Sequence, residues 1–217
     1  MSKTTYGVRT HRLILLTGLG FACFANPAFA VDIEGLCSGS IDLTEGHWAR
    51  FAVDAPLMKQ RIENRYAIVG LEDQHYWMEF EAGLPMGMGA TVMKVLIPGW
   101  PYQEEAVKRV LMKMPRMEGM DDMPPMEMPA GSFHMDSLSG PILMACEEIE
   151  TGVQESVTVE AGTFDAIRIS LKQLGKDIWL SPSVPFGILQ LVDDQGDGVE
   201  LIAYGSDAEL GITELQQ

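Results

Sequence analysis

The chain has 217 residues, of which 47% are hydrophobic and 21% charged, so it can form a packed core and is not intrinsically disordered as a whole. This length fits one domain of ordinary size, or at most two small ones. The 31 acidic residues outnumber the 15 basic ones and give a net charge of −16, which argues against a nucleic-acid partner and against docking on an anionic membrane surface.

Residues 1–30 have the pattern of a secretory signal peptide. Basic residues precede an apolar run from Leu13 to Phe24, and Ala28-Phe29-Ala30 forms an A-x-A cleavage site. The run is too short to span a bilayer. The alternatives are an uncleaved anchor and lipidation at Cys23, although the large Phe21 stands where a lipidation signal needs a small residue.

We therefore predict that residues 31–217 form a single exported domain in the periplasm, with secretion or association with the outer membrane as alternatives. Export would remove three basic residues and no acidic one, leaving a net charge of −19. No second long apolar segment follows, so we expect no stable membrane insertion after cleavage.

Two cysteines remain after cleavage, Cys37 and Cys146. An even number of cysteines in an oxidising compartment predicts a disulfide bond between them. The alternative is a reactive thiol, since Gly35-Leu36-Cys37-Ser38-Gly39 matches a cysteine version of the nucleophile elbow. That elbow must follow a buried strand. Once the signal peptide is removed, only residues 31–36 precede Cys37, and they are too few for such a strand.

Alternating apolar and polar residues, rich in β-branched and aromatic types, predict antiparallel strands along most of the domain. Asp193–Gly198 lies between two such segments and has the glycines of a hairpin turn. The predicted fold class is mainly β, a curved antiparallel sheet or half-open β-barrel with few helices. The predicted strands lie at 47–53, 61–69, 76–80, 91–97, 157–159, 167–171, 178–180, 188–192 and 199–204.

Two segments have some helical character. Asp32–Leu36 has room for one helical turn. Residues 103–113 place apolar side chains at helical spacing, but the end of this segment also fits a strand, so both possibilities stay open.

Eight of the 15 methionines lie within residues 112–135. Prolines at four positions rule out a regular helix there and predict an inserted loop, partly of polyproline II type. One function of such a loop is to bind Cu(I), which prefers thioether sulfur. The metal ligands in that case are Met117, Met120, Met123, Met126 and His134. The alternatives are an apolar lid that contacts a lipid or a partner, and no specific role.

The sequence contains no G-x-S-x-G, H-E-x-x-H, P-loop or C-x-x-C motif, and its histidines are widely separated. Paired carboxylates are plentiful, but none is singled out as an acid–base pair. We therefore predict that the protein is not an enzyme and has no catalytic residues.

The C-terminal third resembles a known superfamily through three segments. These are the run Val157–Ile169, the run Asp177–Gly187 with its W-x-S-x-x-V-P-F-G pattern, and the run Val199–Gly205. They are similar to periplasmic proteins of the LolA/LppX-like, lipoprotein-carrier-like superfamily. The resemblance implies a half-open β-barrel whose apolar concave face holds acyl chains or a lipoprotein anchor, without a cofactor.

Three hypotheses about function follow. The first is a non-enzymatic periplasmic protein that holds a lipid, a lipoprotein or another hydrophobic small molecule in a concave sheet. Its expected lid and cavity residues are Met86, Met88, Met93, Trp179 and Phe186. The second is a copper-binding protein that uses residues 112–135, and the third is a structural or interaction module of the cell envelope.

Overall fold

The computed structural model describes residues 31, 33–39, 41, 43–55, 60–83, 90–114, 124–132 and 138–209. The predicted signal peptide and the lipidation alternative at Cys23 lie outside the described residues. Within the described part of the chain, no helix has both the length and the apolar character needed to cross a membrane.

Eleven antiparallel strands form one sheet, which confirms the predicted mainly β fold class. The strands are β1 (Trp48–Ala55), β2 (Gln60–Glu72), β3 (His75–Gly83), β4 (Ala90–Ile97), β5 (Arg109–Lys113), β6 (Met126–Met128), β7 (Val153–Val159), β8 (Gly162–Leu171), β9 (Lys176–Leu180), β10 (Ile188–Asp193) and β11 (Gly198–Gly205).

The order of the strands is β6-β5-β4-β3-β2-β1-β11-β10-β9-β8-β7. Each half of the sheet is a meander in which sequential strands pair, and the two halves join where β1 pairs with β11. Strands β6 and β7 are the two edges, so the sheet is open.

The sheet is strongly curved in its C-terminal half. The turn between β7 and β8 returns to β11, where the Ala161 N–H donates a hydrogen bond to the Leu201 carbonyl at 3.3 Å. Beside it, the Glu160 N–H donates to the Glu200 carboxylate at 2.8 Å, and the Glu160 carboxylate pairs with Arg61 of β2 at 2.6 Å. Curvature of this degree gives the sheet a concave inner face and a convex outer face.

The period-two pattern assigns residues to the two faces. In β8, Ile167, Ile169 and Leu171 are buried, whereas Arg168 and Ser170 between them are exposed. The same alternation places Tyr66 and Ile68 of β2 on the inner face, as their spacing predicts.

Two α-helices accompany the sheet, α1 (Glu34–Cys37) and α2 (Ser139–Glu147). The single turn α1 is confirmed. Sequence periodicity does not reveal α2, because its residues are mostly apolar and show no polar face, and because Gly140 and Pro141 lie in its first turn.

The segment left open between helix and strand contains both a short 3₁₀ turn, Glu104–Ala106, and strand β5. We predicted that residues 112–135 form a single inserted loop. This prediction is wrong in part, because Met112 lies in β5 and residues 126–128 form β6. Backbone pairing at the sheet edge joins Met112 at the start of the tract to Met126 within it.

Candidate functional site

Four short segments cover the inner face of the sheet, where a sandwich fold would place a second sheet. We call them the cover, and they are residues 33–43, 98–107, 138–147 and 182–187. Each contributes buried apolar side chains to the main core, which the cover shares with the sheet. These side chains are Ile33, Leu36, Leu43, Trp100, Tyr102, Val107, Leu138, Ile142, Ala145, Val184 and Phe186.

The segments of the cover are bonded to one another. Cys37 and Cys146 form the predicted disulfide, with Cα atoms 5.4 Å apart, which joins α1 to α2. The Ser139 hydroxyl of α2 accepts a hydrogen bond from the Tyr102 N–H and donates one to the Tyr102 carbonyl, both at 2.6 Å. The Trp100 indole donates to the Phe186 carbonyl at 2.9 Å. The cover is therefore one connected unit, although its parts are far apart in sequence.

An aromatic cluster joins the cover to the sheet. Tyr66 of β2 is at its centre, and burial raises the pKa of the Tyr66 phenol, an effect that a hydrogen bond with the Leu138 backbone opposes. Ring centroids 4.8 to 6.3 Å from that of Tyr66 belong to Phe51, Phe80, Trp100 and Phe186. In the described part of the chain, side chains therefore fill the centre of the inner face.

A pocket of about 430 Å³ lies at the rim of this filled region. It opens where the start of β1 meets the end of β11, beside the segment 182–185 of the cover. Val184 is buried and belongs both to the pocket lining and to the core. The complete lining is Ile41, His47, Pro182, Ser183, Val184, Pro185, Tyr204, Gly205 and Ser206.

The lining combines an apolar floor with a few polar groups, which is typical of sites for small ligands. Tyr204 is 41% exposed and packs against Phe164, a member of the layer around the core. Sequence analysis did not identify this pocket, because residue 41, residues 182–185 and residues 204–206 become neighbours only through the pairing of β1 with β11.

The structure separates the residues that we predicted for the lid and cavity. Phe186 is 1% exposed and packs within the inner face, and the half-buried Met93 packs against the same core. Met86 and Met88 lie outside the described residues.

Trp179 has a different position, because it lies on the outer side of β9. Its neighbours Ile178 and Leu180 are fully buried on the inner side, and the indole donates a hydrogen bond to the Glu155 carboxylate at 2.6 Å. The guanidinium of Arg168 lies 5.2 Å from the centre of the ring. Trp179 is nevertheless partly buried and packs against the main core to which Phe186 belongs, so a shared role for the two residues stays a prediction.

The outer face carries charged side chains together with a second, smaller cluster of buried apolar ones, which are Ala67, Val69, Trp77, Leu96 and Leu111. Three of the four tryptophans, Trp48, Trp77 and Trp179, have a cationic side chain within 6 Å of a ring centre. Carboxylates pair with the arginines involved, for example Asp177 with Arg168. Only Trp100 is in the cover.

The predicted copper ligands are only partly described. Met126 lies in β6 and is 47% exposed. Met117, Met120, Met123 and His134 lie outside the described residues, so this site stays a prediction. No group of three or more His, Cys, Asp or Glu side chains that could hold a metal ion occurs within the described ranges.

A comparison of the chain with models of known protein families, with curated proteins and with solved structures finds no match. The resemblance to the lipoprotein-carrier-like superfamily therefore stays a prediction.

Proposed function

We propose that the protein is a non-enzymatic binding protein of the cell envelope that holds a lipid or lipid-like amphiphile. The observation that carries this proposal is the rim pocket, which adjoins the core where the cover meets the sheet. Its volume of about 430 Å³ is within the range of ligand pockets in proteins, about 300–1,000 Å³.

The arrangement of the lining supports an amphiphile in particular. Val184, Pro185 and Ile41 offer apolar contact for an acyl chain, and His47, Ser183 and Ser206 offer polar groups for a head group. Val184 of the lining and Phe186 of the aromatic cluster are two residues apart in one segment of the cover, and both belong to the main core.

The cover supports a larger role for the inner face. It consists of short segments that are bonded to one another by one disulfide and a few hydrogen bonds, and it has no strand pairing with the sheet in the described residues. Movement of such a cover exposes apolar side chains without breaking the ladder of the sheet. A longer acyl chain would thus extend from the pocket under the cover.

A binding experiment with a fluorescent fatty acid, 11-(dansylamino)undecanoic acid, tests the proposal. We expect the wild-type protein to bind the probe and native mass spectrometry to detect lipid on protein purified from the envelope fraction. Ser206→Trp places a large ring in the pocket, and we expect it to weaken probe binding about tenfold or more. Ser206 is exposed, so the substitution leaves the core intact.

Ser156→Trp is the matched control, because Ser156 is also exposed but lies on edge strand β7 outside the pocket lining. We expect it to bind the probe as the wild type does. Absence of probe binding by the wild type, or equal binding by Ser206→Trp and Ser156→Trp, would contradict the proposed site.

A further inference from the structure

Three methionines form a continuous row across one edge of the sheet. Met93 of β4 is directly opposite Met112 of β5, and Met112 is directly opposite Met126 of β6. Met93 and Met112 were not among the predicted copper ligands, because Met93 lies 19 positions before Met112 in the chain and strand pairing brings the two together.

The register places the three side chains on the inner face. Directly opposite residues of antiparallel strands project to the same side of a sheet. Phe80 of β3 is opposite Met93 and belongs to the main core. Exposure rises along the row towards the edge, since Met93 and Met112 are half-buried and Met126 is 47% exposed.

Among the described residues of β4, β5 and β6, the inner-face positions next to the row are apolar and rich in sulfur. The next row along the strands is Val95, Val110 and Met128, and Met114 follows Met112 on the same side of the chain. The charged residues of β5, Arg109 and Lys113, alternate to the outer side. The described strand residues on the inner face at this edge therefore offer several thioethers, and their cations lie on the other side of the sheet.

We propose that Met93, Met112 and Met126 bind a soft monovalent metal ion, Cu(I) or Ag(I). Thioether sulfur is a soft, uncharged ligand that favours such ions over Zn²⁺, Mg²⁺ or Ca²⁺. Binding needs no electron transfer when the metal is supplied as Cu(I), because the thioethers displace weaker ligands from the ion.

The spacing of the strands suits three sulfurs around one metal ion. At a metal–sulfur distance of about 2.3 Å, three sulfurs in a plane lie about 4 Å apart. Neighbouring strands are about 4.8 Å apart, so the outer two methionines start about 9.6 Å apart and each sulfur must move inward by about 2.8 Å. An unbranched side chain, whose sulfur lies two bonds beyond Cβ, has this reach.

The residue type at the edge also favours a ligand role over simple packing. Strand positions prefer β-branched and aromatic side chains, and an apolar side chain on an exposed edge strand promotes aggregation. Met126 is such an exposed side chain. Its exposure gives a metal ion access to the row from solvent, whereas Met93 supplies the less accessible end.

Anaerobic titration with Cu(I) against the chromophoric chelator bicinchoninate tests this site. All proteins carry Cys23→Ser, so that no free thiolate competes. We expect the combined variant Met93→Leu/Met112→Leu/Met126→Leu to bind Cu(I) at least about tenfold more weakly than its parent. X-ray absorption of the parent should show three sulfur neighbours at about 2.3 Å. Replacement of Met by Leu conserves volume, and circular dichroism verifies that the variant is folded.

Two further variants make the assignment specific. Met144→Leu removes a thioether from α2, and we expect it to leave the affinity unchanged. Met117→Leu/Met120→Leu/Met123→Leu removes thioethers from the tract outside the row, and we expect its affinity to stay within about threefold of the parent. Unchanged affinity in the row variant, or an equal loss in the tract variant, would overturn the proposal, as would a parent that does not bind Cu(I).

Discussion

Phe186 combines two unusual properties, and replacing it tests how the cover is held. Its side chain is 1% exposed, and its ring lies 5.1 Å from that of Trp100 and 5.9 Å from that of Tyr66. Its backbone is in the left-handed region, with φ +64° and ψ −5°. A buried aromatic side chain is therefore held on a backbone conformation that favours glycine.

The two properties have separate energetic consequences. Truncating a buried Phe to Ala costs about 3–5 kcal/mol of unfolding free energy, because apolar contacts are lost and a cavity forms. A left-handed conformation costs a residue with a Cβ atom about 1–2 kcal/mol, whereas the flexibility of glycine in the unfolded chain costs about 0.4–1 kcal/mol. We therefore expect Phe186→Ala to lose about 4 kcal/mol and Phe186→Gly about 0.5–1 kcal/mol less than that.

Urea denaturation followed by circular dichroism, with the disulfide intact, measures both values. Phe164 of β8 is the matched control, because it is a half-buried strand residue without a positive φ. There we expect the opposite order, with Phe164→Gly less stable than Phe164→Ala by about 0.5–1 kcal/mol. Benzene should stabilise Phe186→Ala, because it can occupy an apolar cavity, but not the wild type.

Two results would refute this reasoning about Phe186. A loss below about 1.5 kcal/mol in Phe186→Ala would mean that the ring does not fill the inner face. A Phe186→Gly variant that is less stable than Phe186→Ala would mean that the backbone is not left-handed at this position.

Two further predictions concern the links that hold other parts of the molecule. Replacing both Cys37 and Cys146 by Ser should lower the unfolding free energy by about 2–5 kcal/mol in urea denaturation, because the bond spans 109 residues; a loss below about 1 kcal/mol would mean that the bond does not constrain the unfolded chain. Hydrogen bonds from Ser170, and then from Arg168, hold the pKa of Asp177 below its usual value, so Ser170→Ala should raise this pKa in an NMR titration of the carboxyl carbon. Because the pKa of Asp177 is depressed in the folded protein, its ionisation stabilises the fold above the unfolded pKa of about 3.9. This stabilisation is lost as the pH falls through the folded pKa. The loss of unfolding free energy between neutral and acid pH should therefore be smaller in Ser170→Ala than in the wild type.

Much of the sheet could be predicted from the sequence. Strong local alternation, as in Ile167, Ile169 and Leu171, identified strands and separated their two faces, and the glycines of Asp193–Gly198 identified a hairpin. The disulfide followed from the predicted export, which leaves only Cys37 and Cys146 in an oxidising compartment. The strands and the hairpin depend on residues that are close in sequence. The disulfide could be predicted because two cysteines can pair in only one way.

The candidate sites were harder to predict, because alternation does not say which face is concave. Trp179 stands between Ile178 and Leu180 in the sequence, yet its indole contacts Glu155 and Arg168 on the outer side, whereas Trp100 is buried in the cover. Helix α2 was not predicted, since its residues are mostly apolar and a buried helix of this kind has no polar face to reveal its period.

The sequence by itself determined that this protein is a mainly β domain with strands of known face and one disulfide, because local periodicity and composition encode these properties. Only the tertiary structure decided which residues become neighbours. Pairing of β1 with β11 created the rim pocket, and pairing of β4, β5 and β6 aligned Met93, Met112 and Met126. Such contacts depend on strand register and sheet curvature, which arise from the packing of the whole chain and not from any one segment of it.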